Sequence, residues 1–390
     1  MSFSFLENRL NQARSRSQYR KLSKNCSIDF HSNDYLGFAT DPDFQELLRK
    51  SILAYSGNVS GSTGSRLISG NYELLEKVEK KLADFSKSQD SVFFPTGYQA
   101  NTALFSSLIH KDDIVISDEL NHASIIDGIK LSKGKVKVFK HNDLTSLEEK
   151  LIESSNCSGQ IFVVCEGLYS MEGHFAHLCK IVDLSKKYNA HLIVDESHTT
   201  GVYGSGLVNH LGLRECVFCT IHTAGKSFGC SGAWVACNQK LKDYLVNFSR
   251  GLIFSTAPSP LQLISVEAAL FYYKSVGEKR SQKLLEMANK LRSYFSSSLE
   301  NSTIQVIGNA SPIIPIILGS NKAVLKSKDL FEKYDISVGA IRYPTVPRGQ
   351  ERIRICIHSS NTQIEIERLV SVFNLITKDE NHEINFHYGH

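Results

Sequence analysis

The chain has 390 residues, with 44 basic against 40 acidic residues, a net charge of +4, and 42% hydrophobic and 22% charged side chains. That length suits one large unit plus a smaller one, and the composition is that of a folded globular chain with a core of useful size. No basic block stands apart, so neither nucleic acid nor a membrane surface is the implied partner, and no run approaches the roughly 20 apolar residues of a membrane span. The nine cysteines have no repeated spacing, which argues against a disulfide framework and for a reducing cytoplasm. The N-terminal residues hold no apolar core of signal-peptide length.

Residues 1–30 read as a short amphipathic helix and a connecting segment, and 31–70 are rich in Gly, Ser and Asn. Leu74, Leu75, Val78, Leu82 and Phe85 then recur at helical spacing, and Ser91-Val92-Phe93-Phe94 reads as a short buried strand. Further strands are expected at Asp113–Ser117, Val136–Phe139, Ile161–Cys165, His191–Val194 and Val217–Ile221, with helices between them such as Leu144–Ser154 and Leu178–Tyr188. That alternation predicts an α/β fold, a mostly parallel sheet with crossover helices. In such sheets ligands sit outside the carboxyl ends of the strands. After Pro258-Ser259-Pro260 a long helix is expected to about Leu299, then strands Ile313–Leu318 and Arg352–Ile357 with helices Lys322–Tyr334 and Thr362–Leu375. The chain thus divides into an N-terminal segment 1–40, a large domain 41–260, a linking helix 261–300, a smaller α+β domain 301–380 and a tail 381–390. The His-rich tail reads as a disordered end and not a metal site. Cys216 and Cys219 form a C-x-x-C inside an apolar run, where a strand is the blander reading, and no metal site is expected.

Several polar residues follow strand ends. Asp195 closes His191-Leu192-Ile193-Val194, and His198 stands three residues on. The pair could cap the next turn, or its carboxylate could hold a proton on a pyridine nitrogen and make that ring a better electron sink. Lys226 lies beyond the next strand in Thr223-Ala224-Gly225-Lys226-Ser227-Phe228-Gly229, among small residues that let a ligand approach. A lysine there acts as nucleophile or base once its amine loses a proton. Gly225-Lys226-Ser227 also resembles the end of a nucleotide phosphate loop, but that pattern requires glycine at 220, which is Thr220. Gly97, Tyr98 and Thr223 are candidates for a phosphate cup, Gly97-Tyr98 because helix-start amides bind phosphate. His122 is either structural or a ring stacked on a flat cofactor. Arg352 and Arg354 share one strand face, where an arginine is either a solvated edge or a fork for a carboxylate. Arg342 sits in a Pro-bounded loop, Arg342-Tyr343-Pro344-Thr345-Val346-Pro347.

Taken together and in order, these motifs resemble the α-oxoamine synthases. The resemblance runs from about Arg20 to the last helix and includes Ser32-Asn33-Asp34-Tyr35-Leu36-Gly37, the Gly-rich segment Gly61–Gly70, Asn121-His122-Ala123-Ser124, Glu166 through Met171, Asp195 through Gly201 and Gly225 through Gly229. It implies the fold type I architecture of pyridoxal 5′-phosphate (PLP) enzymes and a homodimer with shared active sites. It implies an acyltransferase that joins a small amino acid to an acyl thioester with loss of carbon dioxide. Lys226 would anchor PLP and move the Cα proton, Asp195 would pair with the ring nitrogen, and His122 would stack on the ring. His198 and Ser170 would lie near the phenolic oxygen. Gly97, Tyr98 and Thr223 would hold the phosphate, with Ser255 and Thr256 reaching in from a second subunit. Arg354 and Asn33 would take the substrate carboxylate, Arg20 and Thr345 the acyl substrate, Arg342 would also bind substrate, and Glu166 would support the site nearby. The cofactor residues follow the family pattern. The departures, such as Ser197 and Thr199 on either side of His198 and Tyr343 after Arg342, fall elsewhere, and the retained Arg342 and Thr345 favour L-alanine and a pimeloyl thioester as substrates.

Overall fold

The computed structural model describes residues 3–22, 26–299 and 302–387, with side chains only to residue 377 in the last helix. Its strands are β1 (Ile28–Phe30), β2 (Asp90–Phe94), β3 (Ile114–Asp118), β4 (Lys135–Phe139), β5 (Ile161–Glu166), β6 (His191–Asp195), β7 (Cys219–Thr223), β8 (Ala233–Cys237), β9 (Gln305–Val306), β10 (Ile313–Ile317), β11 (Ile336–Ile341) and β12 (Arg352–Cys356). The chain folds into two compact units whose boundaries differ from those drawn from composition. One comprises 33–170 and 175–282; the other comprises 1–32, 171–174 and 283–390.

The larger unit holds a seven-stranded sheet in the order β2-β8-β7-β6-β5-β3-β4. Its strands run parallel except β8, which is antiparallel to both β2 and β7. Alternate residues face opposite ways along each strand. Val115, Val164, Ile193 and Ile221 therefore enter one apolar core, and Ile116, Val163, Cys165, Leu192 and Val194 enter another. A sheet buried on both faces needs near-continuous apolar strands, which is why these segments stand out in sequence. Each such side chain contributes about 1.5–3 kcal/mol on burial.

Two strand positions differ from expectation. The run Val217–Ile221 enters the sheet only at Cys219, because Arg214–Cys216 forms a 3-10 turn that still holds the Val217 amide. Cys216 therefore ends a turn while Cys219 is buried in β7; both are free, and no metal-binding cluster occurs among the described residues. β8 lies outside the expected strands. Its entry through Cys230-Ser231-Gly232 reads as loop, and an antiparallel strand breaks the βαβ rhythm on which the other assignments rest.

The smaller unit holds a five-stranded sheet, β1-β11-β12-β10-β9. β1 and β11 pair in parallel and the remaining neighbours are antiparallel. β1 has three residues and β11 carries Gly339, both weak strand signals. The helix Gln363–His387 runs past the expected Leu375. The end of the His-rich tail, 388–390, lies outside the described residues. No described helix is long and apolar enough to cross a membrane.

Candidate active site

A cavity of about 300 Å³ opens in the larger unit where β2, β5, β6 and β7 end. It is lined by Gly97, Tyr98, His122, Glu166, Asp195, His198, Thr223 and Lys226, with Asn101, Ser124, Ser197 and Cys230 also at its walls. Eight of the residues singled out from sequence are thus brought together by one sheet edge.

Asp195, the last residue of β6, is 5% exposed. One carboxylate oxygen accepts from Asn101 Nδ2 at 2.8 Å and the other from the Ser197 amide at 2.9 Å. Asn101 Nδ2 also donates to Ser124 Oγ at 3.0 Å, and Ser124 Oγ lies 2.7 Å from His122 Nδ1. A continuous polar chain therefore links Asp195 to His122 behind the cavity. His122 caps the helix Ala123–Leu131, its Nδ1 accepting from the Ser124 amide at 3.2 Å. Burial, and then Lys226, push its pKa down against the opposing pull of Asp195. That shift favours the neutral ring.

The helix Gly97–Leu108 begins directly after β2, with Thr96 Oγ1 accepting from the Gln99 amide at 3.2 Å. A helix start presents backbone donors to an anion. A Cβ on Gly97 would stand 2.6 Å from Thr223 Cγ2, so only glycine lets the helix start and the end of β7 close together. The exposed Tyr98 hydroxyl donates to Asp127, which raises its pKa.

Lys226 lies on the loop that returns β7 into β8. The Ala224 amide bonds Gly232 O at 2.9 Å, and the Cys230 amide bonds Ala224 O at 3.0 Å. Gly229 has φ +59° and packs against the Ala39 backbone, a conformation and an approach that only glycine supplies. Beneath the loop, His222 stacks on Trp234 at 4.9 Å and bonds Thr200 and the nucleotide-loop-breaking Thr220 at 2.8 and 2.7 Å. Burial pushes the His222 pKa to about 3. Beside Asp195, Glu196 is pushed up to about 7 by burial, while its carboxylate accepts the Leu207 and Val208 amides at 2.5 and 2.9 Å. The Cys230 thiol is pushed up to about 12 by burial, an inert wall group.

Other sequence candidates fall outside the lining. Ser170 follows β5 without reaching the cavity surface. Within the chain, Ser255 Oγ accepts from Gln99 Nε2 at 3.0 Å, and neither Ser255 nor Thr256 lines the cavity. Asn33 Oδ1 lies 3.2 Å from the Tyr35 hydroxyl, which in turn lies 2.7 Å from His198 Nδ1.

In the smaller unit, Arg354 is buried on β12 and faces Gly339 of β11. Arg352, on the same face, is locked to Glu172 and Met171 O at 3.3 and 3.0 Å and so reads as structural. Arg20 donates to Thr345 Oγ1 at 3.0 Å, and Arg342 donates to Ser17 O at 2.7 Å and Tyr19 O at 3.3 Å. Burial, and then Arg20, lower the Arg342 pKa.

Sequence reasoning does not single out Asn101, Ser124, Ser197 or Tyr35. Asn101 carried a usable signal: it sits four residues after Gly97, one helical turn along the same face.

A sheet edge that gathers a loop lysine, a strand-end carboxylate, a wall histidine and a helix start fits a PLP-binding site. The chain belongs to the α-oxoamine synthases, PLP-dependent acyltransferases within the aminotransferase class I and II family, whose pattern matches residues 27–373. The 8-amino-7-oxononanoate synthase of Lysinibacillus sphaericus is 36% identical over 354 residues, covering 90% of this chain and 88% of that protein. A crystal structure of 8-amino-7-oxononanoate synthase from Francisella tularensis superposes with a TM-score of 0.74 at 27% identity, covering 92% of this chain and 98% of that one. Serine palmitoyltransferase from Sphingomonas wittichii superposes with a TM-score of 0.85 at 23% identity over 97% of each chain, a likeness of fold. The residues present fit PLP. Asp195 is held as an acceptor by two donors, and Asn101 Oδ1, at the cavity wall, is buried with no hydrogen-bond partner. Gly97 leaves room that a side chain would fill.

Proposed function

We propose that the chain condenses L-alanine with a pimeloyl thioester, releasing carbon dioxide and the thiol, as the relatives named 8-amino-7-oxononanoate synthase do in making a biotin precursor. The observation that carries this reading is the cavity in which Lys226, His122 and an Asp195 held by Asn101 and Ser197 share one wall system. When bound, PLP supplies an aldehyde for the amino group and a ring that accepts electron density from Cα. Lys226 Nζ would anchor that aldehyde and serve as base and acid for the Cα proton. The Asp195 carboxylate would hold a proton on the ring nitrogen, its orientation fixed by its two donors. The His122 ring would lie against the cofactor face, and His198 would address the phenolic oxygen. The amides of Gly97 and Tyr98 and the Thr223 hydroxyl would hold the phosphate.

A homodimer completes this reading, with Ser255 and Thr256 of one subunit serving the phosphate of the other. Exposed Leu67, Ile68, Tyr98 and Phe254, all in the larger unit, support such a covered face. Arg354 and Asn33 take the substrate carboxylate. Arg20, Arg342 and Thr345 take the acyl substrate, and Glu166 supports the site where the thioester carbonyl reacts. The test is product identification by mass spectrometry with alanine, glycine or serine as donor and pimeloyl thioesters of coenzyme A or carrier protein. An alanine-derived aminoketone is expected; activity with glycine or serine alone overturns the substrate reading. Light scattering on the purified protein tests the dimer.

A further inference from the structure

Asp195, Ser197 and His198 line the cavity, while the buried Glu196 among them sends its carboxylate to the chain return at 204–208. That carboxylate meets three neutral donors: the Leu207 and Val208 amides at 2.5 and 2.9 Å and the Thr199 hydroxyl. The Glu196 carbonyl takes the amides of Thr199 and Thr200 at 3.0 and 2.8 Å, and the Glu196 amide donates to Ile221 O of β7 at 2.7 Å. A Cβ on Gly206, at φ +141°, would stand 2.2 Å from Glu196 Oε2, so glycine is what lets the return come this close. A buried carboxylate is costly unless donors satisfy it, and one met by three donors is held in one place. Glu196 is thus pinned at its amide, its carbonyl and its side chain. The next amide along, that of Ser197, donates to Asp195 Oδ1 at 2.9 Å.

We infer that Glu196 is a positioning residue for Asp195: its carboxylate clasps the return at 204–208 and so fixes the Glu196–Ser197 peptide, whose N–H orients the Asp195 carboxylate. The clasp acts from behind the cavity wall, as outer groups do that orient the ligands of a metal. The inference rests on the reading of Asp195 as partner of the cofactor's ring nitrogen, but the clasp exists without cofactor and is measured without it. Glu196→Gln keeps the volume of the side chain. Its nitrogen cannot accept, and whichever way the amide turns, that nitrogen faces a donor, Val208 N–H on one side or Leu207 N–H on the other. Thr199→Val is milder: it removes one donor of the three and keeps the shape.

The experiment has two readouts, both taken at about pH 8, where the wild-type carboxylate is ionised. Backbone-assigned amide NMR of the PLP-free protein follows Ser197, Leu207 and Val208. PLP affinity is followed by quenching of the single tryptophan, Trp234. In Glu196→Gln the Leu207 or Val208 amide proton moves upfield, the Ser197 amide moves with it, and PLP binds about tenfold more weakly. Thr199→Val shifts the same signals less, with a loss of about threefold. A merely structural glutamate would lower the melting temperature and leave the Ser197 amide and the PLP affinity of the folded variant as in wild type. If either matches wild type, the inference falls. If Glu196→Gln does not fold, Thr199→Val decides alone by the same two readouts. Borohydride trapping of PLP on Lys226 in the wild type is followed separately: its failure sinks the cofactor reading and leaves the amide shifts to decide the clasp.

Discussion

The cavity of the larger unit and the Arg20–Thr345 region of the smaller unit hold their candidate residues in different ways. Around the cavity, Asp195, Asn101, Ser124 and His198 are nearly or fully buried and each is fixed by another buried group. In the smaller unit, Arg20 and Thr345 are exposed and hold each other, while Arg342 grips backbone carbonyls of the N-terminal segment. Buried networks lose much when one member is removed, whereas exposed contacts lose little. The cavity network is therefore built into the fold, and on the proposed reading the choice of acyl group rests on contacts that substitution can retune.

The largest effect expected from breaking this contrast is at the lysine. Lys226→Ala should lower kcat by about a thousandfold or more and abolish borohydride-trapped cofactor, read by steady-state kinetics and intact mass. Next comes the carboxylate. Asp195→Asn should cost about 100- to 1,000-fold in kcat with the fold intact, because it removes the charge that keeps the ring nitrogen protonated. Asn101→Ala should cost about 10- to 100-fold by loosening Asp195, a test of whether the buried network itself matters. In the smaller unit, Arg342→Ala should raise KM for the acyl thioester about three- to tenfold with kcat nearly unchanged. A kcat loss at Arg342 as large as at Asp195 would erase the contrast.

The smallest effect is on stability against pH. His222 has a folded pKa of about 3 against an ordinary 6.5, so between those values the unfolded chain binds a proton that the folded chain does not. Its contribution is complete above pH 6.5 and is lost as pH falls toward 3. Glu196 acts oppositely: raised from 4.5 to about 7, its contribution is present below 4.5 and is lost as pH rises through 7. Denaturant midpoints should therefore fall less steeply on acidification in His222→Gln, and less steeply on the alkaline side in Glu196→Gln.

What is legible in the sequence follows the same division. Asp195, Glu166 and Thr223 close apolar strands whose edges the period of the chain marks, and the parallel-sheet rule places them at one rim from sequence alone. Lys226 is legible from its small neighbours. Asn101 and Ser124 are not, because an amide on a helix and a serine after a histidine acquire meaning only when folding brings Asp195 beside them. Tyr35 stands inside a recognisable motif, yet nothing in that motif says that its hydroxyl meets a histidine 163 residues away. β8 escapes the reading because rhythm identifies crossovers and an antiparallel return is an exception to rhythm.

That return bears on how the enzyme tolerates change. Because β8 runs back against β7, with Thr223 opposite Ala233 and His222 opposite Trp234, the lysine rides on the tip of a strand-to-strand return clamped on both sides. A slip of that pairing by one residue would turn Trp234 away from His222 and open the floor under the lysine. The position of Lys226 is thus tied to the register of β7 against β8.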